Sequence, residues 1–216
     1  VDLKRMEYDN RFADQVVPLE HLPPLAWTTE IAGQVTASAA AETGLVAGTP
    51  VNAGTVDAAA EAVSSGVVEP GDLMIMYGTT MFFIQVTEGP QPSELVWATG
   101  YTFPGSYVVA FGMATTGALT NAYAALGALA AAVPPGSDGM ICVPYFSGER
   151  TPINDPRARG MFAGLSLSHT KGHLYRALLE ATAYGAQQNL ETIRATGAVT
   201  KRAVAVGGGV KSDLWL

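Results

Sequence analysis

Only one cysteine, Cys142, stands among the 216 residues, so no disulfide framework can staple this chain. Charge is scarce as well: charged residues make up 14%, with 12 Lys and Arg against 19 Asp and Glu. A formal net charge of −7 without any basic cluster argues against nucleic acid as a partner. The longest apolar run, Ala122 to Val133, is too short and too rich in Ala and Gly to span a bilayer. No secretory signal opens the sequence, and Cys142 lies in the strand-like run Met140-Ile141-Cys142-Val143, so a reducing, cytoplasmic location is the default expectation. What is abundant is apolar: 48% hydrophobic residues and 24 Gly suit a core-rich globular protein of one large or two small domains.

Residues 1 to about 26 carry early charges and then Pro18, Pro23 and Pro24, and read as irregular. An Ala-rich helix is expected from near Thr36 to Gly44, and Thr49 to Gly54 reads as a strand delivering the chain to Asp57. Ala58-Ala59-Ala60-Glu61-Ala62 is strong helix-forming sequence ending before Gly66, which places Asp57 as its N-cap. Two readings of Asp57 stand together, a cap alone or a general base accepting a proton from a substrate hydroxyl.

Asp72 to Tyr77 and Met81 to Val86 are rich in β-forming residues, so a hairpin turning at Gly78-Thr79-Thr80 is expected. That turn is either ordinary turn chemistry or a donor group for phosphate oxygens. Tyr107 to Phe111 reads as a further strand, and Ala114 to Val133 as a second Ala-rich helix stopped by Pro134-Pro135-Gly136. Gly117 near its start permits close helix packing or an anion at the N-terminus, and packing is the default. His173 to Arg194 has the strongest helical stripe, through Leu174, Leu178, Ala181, Gly185, Leu190 and Ile193. Arg202 to Val206 reads as a buried-type strand, turned by Gly207-Gly208-Gly209 toward a new helix; the spacing is neither GxGxxG nor a P-loop. Ser168-His169-Thr170-Lys171 matches Ser-x-x-Lys without the partner motifs of acyl enzymes, and His169 and His173 lack a Glu base for a zinc helix. Both are read as incidental, the histidines as surface or loop residues.

Gly160-Met161-Phe162-Ala163-Gly164-Leu165, then seven residues, then His173-Leu174-Tyr175-Arg176-Ala177-Leu178-Leu179-Glu180 resembles the C-terminal signature of the FGGY family of carbohydrate kinases. Glu149-Arg150-Thr151-Pro152, the Gly78-Thr79-Thr80 turn, Gly207-Gly208-Gly209 with Ser212, and the approach from Gly44 to Asp57 support it, and the pattern is closest to pentulose kinases of the xylulose kinase type. The resemblance runs from about Leu22 onward. It implies an α/β chain of the actin/Hsp70-type (ribonuclease H-like) fold that phosphorylates a sugar hydroxyl, such as that of the pentulose D-xylulose, using ATP and Mg²⁺. It implies Asp57 as base, Gly78, Thr79 and Thr80 at the phosphates with Gly117 near them, and Gly208, Gly209, Ser212 and Asp213 against adenine and ribose. Residues 1–70 correspond to the end of the sugar-binding N-terminal domain and 71–216 to a truncated nucleotide-binding C-terminal domain; a homodimer is an expectation. The family's first phosphate motif and most of its sugar-binding domain are missing, and Ala58 stands where xylulose kinases often place Asn. A reading from another class therefore stands beside the kinase: a non-catalytic fragment that binds nucleotide or mediates assembly.

Overall fold

The computed structural model describes residues 1–3, 5–13, 16–122 and 124–215. The proline-interrupted first stretch holds one short helix, α1 (Asn10–Ala13). A two-stranded antiparallel ribbon follows, β1 (Ile31–Gln34) with β2 (Pro50–Asn52), exposed along its length. Between them lies α2 (Ala37–Thr43), bounded as its caps dictate: the Thr36 hydroxyl accepts the Ala39 N–H, and Gly44 closes the helix at φ +76°. Helix α3 (Asp57–Ser64) starts one residue earlier than the sequence suggests. Val56, not Asp57, is its N-cap; Asp57 is the first helical residue, and its Oδ1 accepts the Ala58 N–H at 2.7 Å. A first-turn carboxylate is favourable beside the exposed N–H groups, so the acid serves the helix start without being its cap.

The central sheet has five strands in the order β5-β6-β4-β3-β9: β3 (Asp72–Tyr77), β4 (Met81–Thr87), β5 (Trp97–Gly100), β6 (Tyr107–Met113) and β9 (Arg202–Val206). The expected hairpin forms between β3 and β4, with Tyr77 opposite Met81 and the Gly78-Thr79-Thr80 turn between them. Alternation assigns the two faces. Leu73, Phe83, Val109 and Phe111 meet Ile193 and Ala186 of helix α6 (Lys171–Ala195), and Phe83 stacks on Phe111 at 4.6 Å. Met74, Ile84, Val108 and Ala110 meet Ala59 and Ala62 of α3. Each of the larger side chains is worth about 1.5–3 kcal/mol of burial, so this double-sided core fixes where the β3–β4 turn and the start of α3 sit.

Two sequence expectations are corrected. Ala114 to Val133 is not one helix: it divides into α4 (Gly117–Ala122), a 3-10 turn (Ala124–Leu126) and α5 (Gly127–Ala131). The break falls at Ala124–Leu126, just ahead of Gly127, whose helix penalty is near 1 kcal/mol relative to Ala, and the Ala-rich sequence supplies few large anchors to hold one continuous helix. Strand β9 exists but is not buried; it pairs in parallel with β3 at the sheet edge, and Arg202, Ala203 and Ala205 are exposed. After Gly207 the chain makes a 3-10 turn (Gly208–Lys211), the turn out of β9 that the glycines suggest. Strands β7 (Ile141–Val143) and β8 (Met161–Ala163) form a small ribbon beside α6, with Cys142 buried as its apolar surroundings suggest. Helix α6 begins at a reciprocal cap: Thr170 accepts the Gly172 N–H, and His173 Nδ1 accepts the Thr170 N–H. His173 Nε2 also meets Asp138 Oδ2 at 3.0 Å, which makes this histidine a capping group.

Candidate functional site

Where β3 ends, β9 ends and α4 and α6 face them, the described residues enclose a cavity of about 650 Å³. Seven of the eight residues expected to face nucleotide line it: Gly78 and Thr79 from the hairpin turn, Gly117 from the start of α4, and Gly208, Gly209, Ser212 and Asp213 after β9. These come from segments far apart in sequence and converge because β9 lies beside β3, delivering the Gly207 turn next to the Gly78 turn. Thr80 is not among the lining residues; its carbonyl accepts the Gly78 N–H at 3.1 Å and closes the turn. Asp57 is exposed and does not line the cavity either. Its helix is mounted on the opposite face of the same sheet through Ala59 and Ala62.

The glycines differ in what they do. A Cβ on Gly117 would lie 2.1 Å from the Gly78 carbonyl oxygen, and the Gly117 N–H donates to that oxygen at 2.9 Å. The Thr116 and Ala118 N–H groups donate to the Thr79 carbonyl at 3.2 and 3.1 Å. The start of α4 is therefore capped by the hairpin turn, which accounts for Gly117 by close packing; its amides are not open to an anion. Gly209 is wedged too, since a Cβ would meet Trp215 at 2.4 Å and Tyr77 at 2.6 Å. Among the glycines expected to face nucleotide, Gly208 is the exception: nothing lies within 4 Å of its absent Cβ, so its backbone is open to a ligand.

Sequence reasoning missed the aromatic lining. Tyr77 and Trp215 meet edge to face at 5.2 Å, and Trp215 Nε1 donates to Thr182 Oγ1 of α6 at 3.0 Å. Tyr175 closes another side, its hydroxyl donating to the Thr120 carbonyl at 3.2 Å. Burial pushes the phenols of Tyr77 and Tyr175 up, so both remain neutral hydrogen-bonding groups at physiological pH. The available signal was positional: Tyr77 ends an apolar strand just before the glycine turn, and Trp215 follows Asp213 by two residues. Among the described lining residues the one carboxylate is Asp213 and none is Lys, Arg or His. A polyanion entering here gains backbone and hydroxyl donors but no side-chain cation.

Comparison with known proteins identifies the family. Residues 73–216 match the C-terminal domain of the FGGY family of carbohydrate kinases, and residues 1–64 match its N-terminal domain. Xylulose kinase of Bacillus subtilis is 27% identical over 99% of this chain and 46% of its own length. Gluconokinase of Bacillus subtilis is 29% identical over 100% of the chain and 46% of its own length. The crystal structure of xylulose kinase from Rhodospirillum rubrum superposes with a TM-score of 0.85 at 38% identity, over 92% of this chain and 43% of that one. The chain thus spans about half the length of these relatives, and its fold is that of FGGY sugar kinases, of the actin/Hsp70 type. With the C-terminal match alone running from residue 73 to 216, this chain belongs to the FGGY family of carbohydrate kinases.

Proposed function

We propose that this chain supplies the nucleotide-holding part of an ATP-dependent sugar kinase whose substrate is a pentulose such as D-xylulose. The observation that carries the reading is the convergence of Gly78, Thr79, Gly117, Gly208, Gly209, Ser212 and Asp213 on one cavity of about 650 Å³, a size suited to a small-molecule ligand. The open backbone at Gly208 lets adenosine approach closely, with Tyr77 and Trp215 behind Gly209 as an apolar wall. Thr79, at the turn, faces the phosphate end. Because the described lining holds no cationic side chain, phosphate charge is met by a cation carried in with the nucleotide. Mg²⁺ fits that role, being held by phosphate oxygens with one or two carboxylates, and Asp213 is the carboxylate on offer. Held there, Mg²⁺ would supply charge neutralisation for the transferring phosphoryl group.

In this reading residues 1–70 belong to the sugar-binding domain and 71–216 to the nucleotide domain. Asp57 is the base that takes the proton from the sugar hydroxyl as that oxygen bonds to the γ-phosphorus of ATP and the bond to the β,γ-bridging oxygen breaks, releasing ADP; α3 holds its backbone against the sheet. Xylulose and gluconate kinases match at similar identity, so the pentulose assignment leans on the R. rubrum superposition. A second reading has its own support: Asp57 is exposed and outside the cavity, as a nucleotide-binding piece without turnover would have it. Calorimetric titration with Mg-ATP, with and without D-xylulose, tests the first part; no heat of binding refutes it. Turnover of the chain joined to the remaining half of a family kinase, with and without Asp57→Asn, tests the second, and unchanged turnover sinks the base assignment.

A further inference from the structure

We propose that Glu149 is a positioning residue for the nucleotide site, its buried carboxylate bracing the chain between β6 and α4 so that Thr116, Gly117 and Ala118 seat on the Gly78-Thr79-Thr80 turn. The inference rests on the nucleotide reading of the cavity. Glu149 is only 5% exposed, and its Oε1 accepts the Ala114 N–H at 3.1 Å and the Arg150 N–H at 2.6 Å. The same loop grips the neighbouring residues: Ser147 N–H donates to Thr115 Oγ1 at 3.1 Å, and Thr151 N–H to the Gly112 carbonyl at 3.2 Å. Gly112, Ala114 and Thr115 are thus all held from residues 147–151.

Immediately beyond them come three consecutive N–H groups, of Thr116, Gly117 and Ala118, that donate to the Gly78 and Thr79 carbonyls. There is no slack at this joint, because the Cβ position of Gly117 is already filled by the Gly78 carbonyl. A shift at Ala114 therefore passes to the turn carrying Thr79. The brace needs an oxygen that can accept two backbone N–H groups inside the protein. Burial, the larger influence, pushes the Glu149 carboxyl above its ordinary range, and the Arg150 and Ala114 N–H bonds oppose that rise. Alanine would leave both amides without their acceptor, whereas glutamine keeps one carbonyl oxygen in place.

The test compares the wild-type chain with Glu149→Ala and Glu149→Gln, reading Mg-ATP affinity by calorimetry and amide hydrogen exchange at Thr116, Gly117 and Ala118. Glu149→Ala is expected to weaken Mg-ATP binding about tenfold and to speed exchange at those amides, with Glu149→Gln within about twofold of wild type in both. Thr115→Val, which removes the parallel acceptor while keeping shape, is expected to give the same pattern at roughly threefold amplitude and covers the case of an unfolded alanine variant. Unchanged exchange in Glu149→Ala or Thr115→Val overturns the brace, as does a glutamine variant as impaired as alanine. If the wild-type chain takes up no Mg-ATP, the nucleotide reading fails, and the exchange pattern alone upholds or overturns the brace.

Discussion

Two glycines on one cavity wall are expected to respond to the same substitution in opposite ways. Gly208→Ala places a methyl where no heavy atom lies within 4 Å, on a backbone outside the left-handed region. The folded state pays nothing for it, and the reduced freedom of the unfolded chain stabilises by about 0.4–1 kcal/mol. The methyl stands where a nucleotide would lie against the backbone, and such overpacking costs about 1–3 kcal/mol, roughly fivefold to 150-fold in Mg-ATP affinity. Gly117→Ala puts its Cβ 2.1 Å from the Gly78 oxygen and 2.7 Å from its carbon, both backbone atoms that cannot rotate away. The upper end of the overpacking range, about 3 kcal/mol, follows, lowering Tm by roughly 6–12 °C for a chain of this size. Scanning calorimetry and titration calorimetry on the two variants separate the effects. If Gly208→Ala melts as early as Gly117→Ala, or binds Mg-ATP as wild type does, the reasoning about this wall is wrong.

Other expectations follow from buried titrating groups. Asp72 joins β3 to β9: Arg202 bonds both its oxygens at 2.8 and 2.9 Å, and the Val68 and Glu69 N–H groups donate to Oδ2. These partners, Arg202 first, hold the Asp72 carboxyl well below the usual carboxylate range, so its stabilisation is complete above about pH 4 and is lost as pH falls further. Asp72→Asn is expected to cost about 2 kcal/mol at pH 7, discounted because Arg202 is half exposed, and to flatten the acid limb of urea-midpoint against pH. Burial, with the Asp72 charge adding, pushes the Tyr101 phenol up to about 12, so stability is lost as pH rises from about 10 through 12. Tyr101→Phe is expected to abolish that alkaline loss at a cost of about 1 kcal/mol for the bond to the Val67 carbonyl, read by chemical denaturation across pH. Burial pushes the Cys142 thiol up to about 11, leaving roughly a thousandth as thiolate at pH 8; alkylation should be slow until the chain unfolds, and fast native alkylation would contradict the buried placement.

Local chemistry was readable where it is self-contained. Thr36 and Gly44 bound α2 because cap and stop act within a turn, and the β3–β4 hairpin follows from two β-rich runs flanking one glycine turn. Non-local chemistry was not. Ile31–Gln34 and Trp97–Gly100 became strands only through partners, and Arg202–Val206 carried an apolar pattern suited to burial yet sits on an edge. The family motifs pointed to the glycines of the cavity but could not tell Gly117, wedged against the turn, from Gly208, left open. Glu149 was noticed as part of a motif, and its bracing role needed coordinates, because its partner Ala114 is 35 residues away.

The pairing of β9 with β3 also sets an order of events as the chain is made. Asp72 and Arg202 are 130 residues apart, and at roughly 5–20 residues per second a ribosome needs about 6–26 s between them. For that interval the N–H and C=O groups along one edge of β3 have no native strand to meet, which is the situation that invites pairing with another nascent chain. The two glycine turns of the cavity come together only when that edge closes. A ligand that binds across both turns would therefore favour this long-range pairing, acting as a late folding partner.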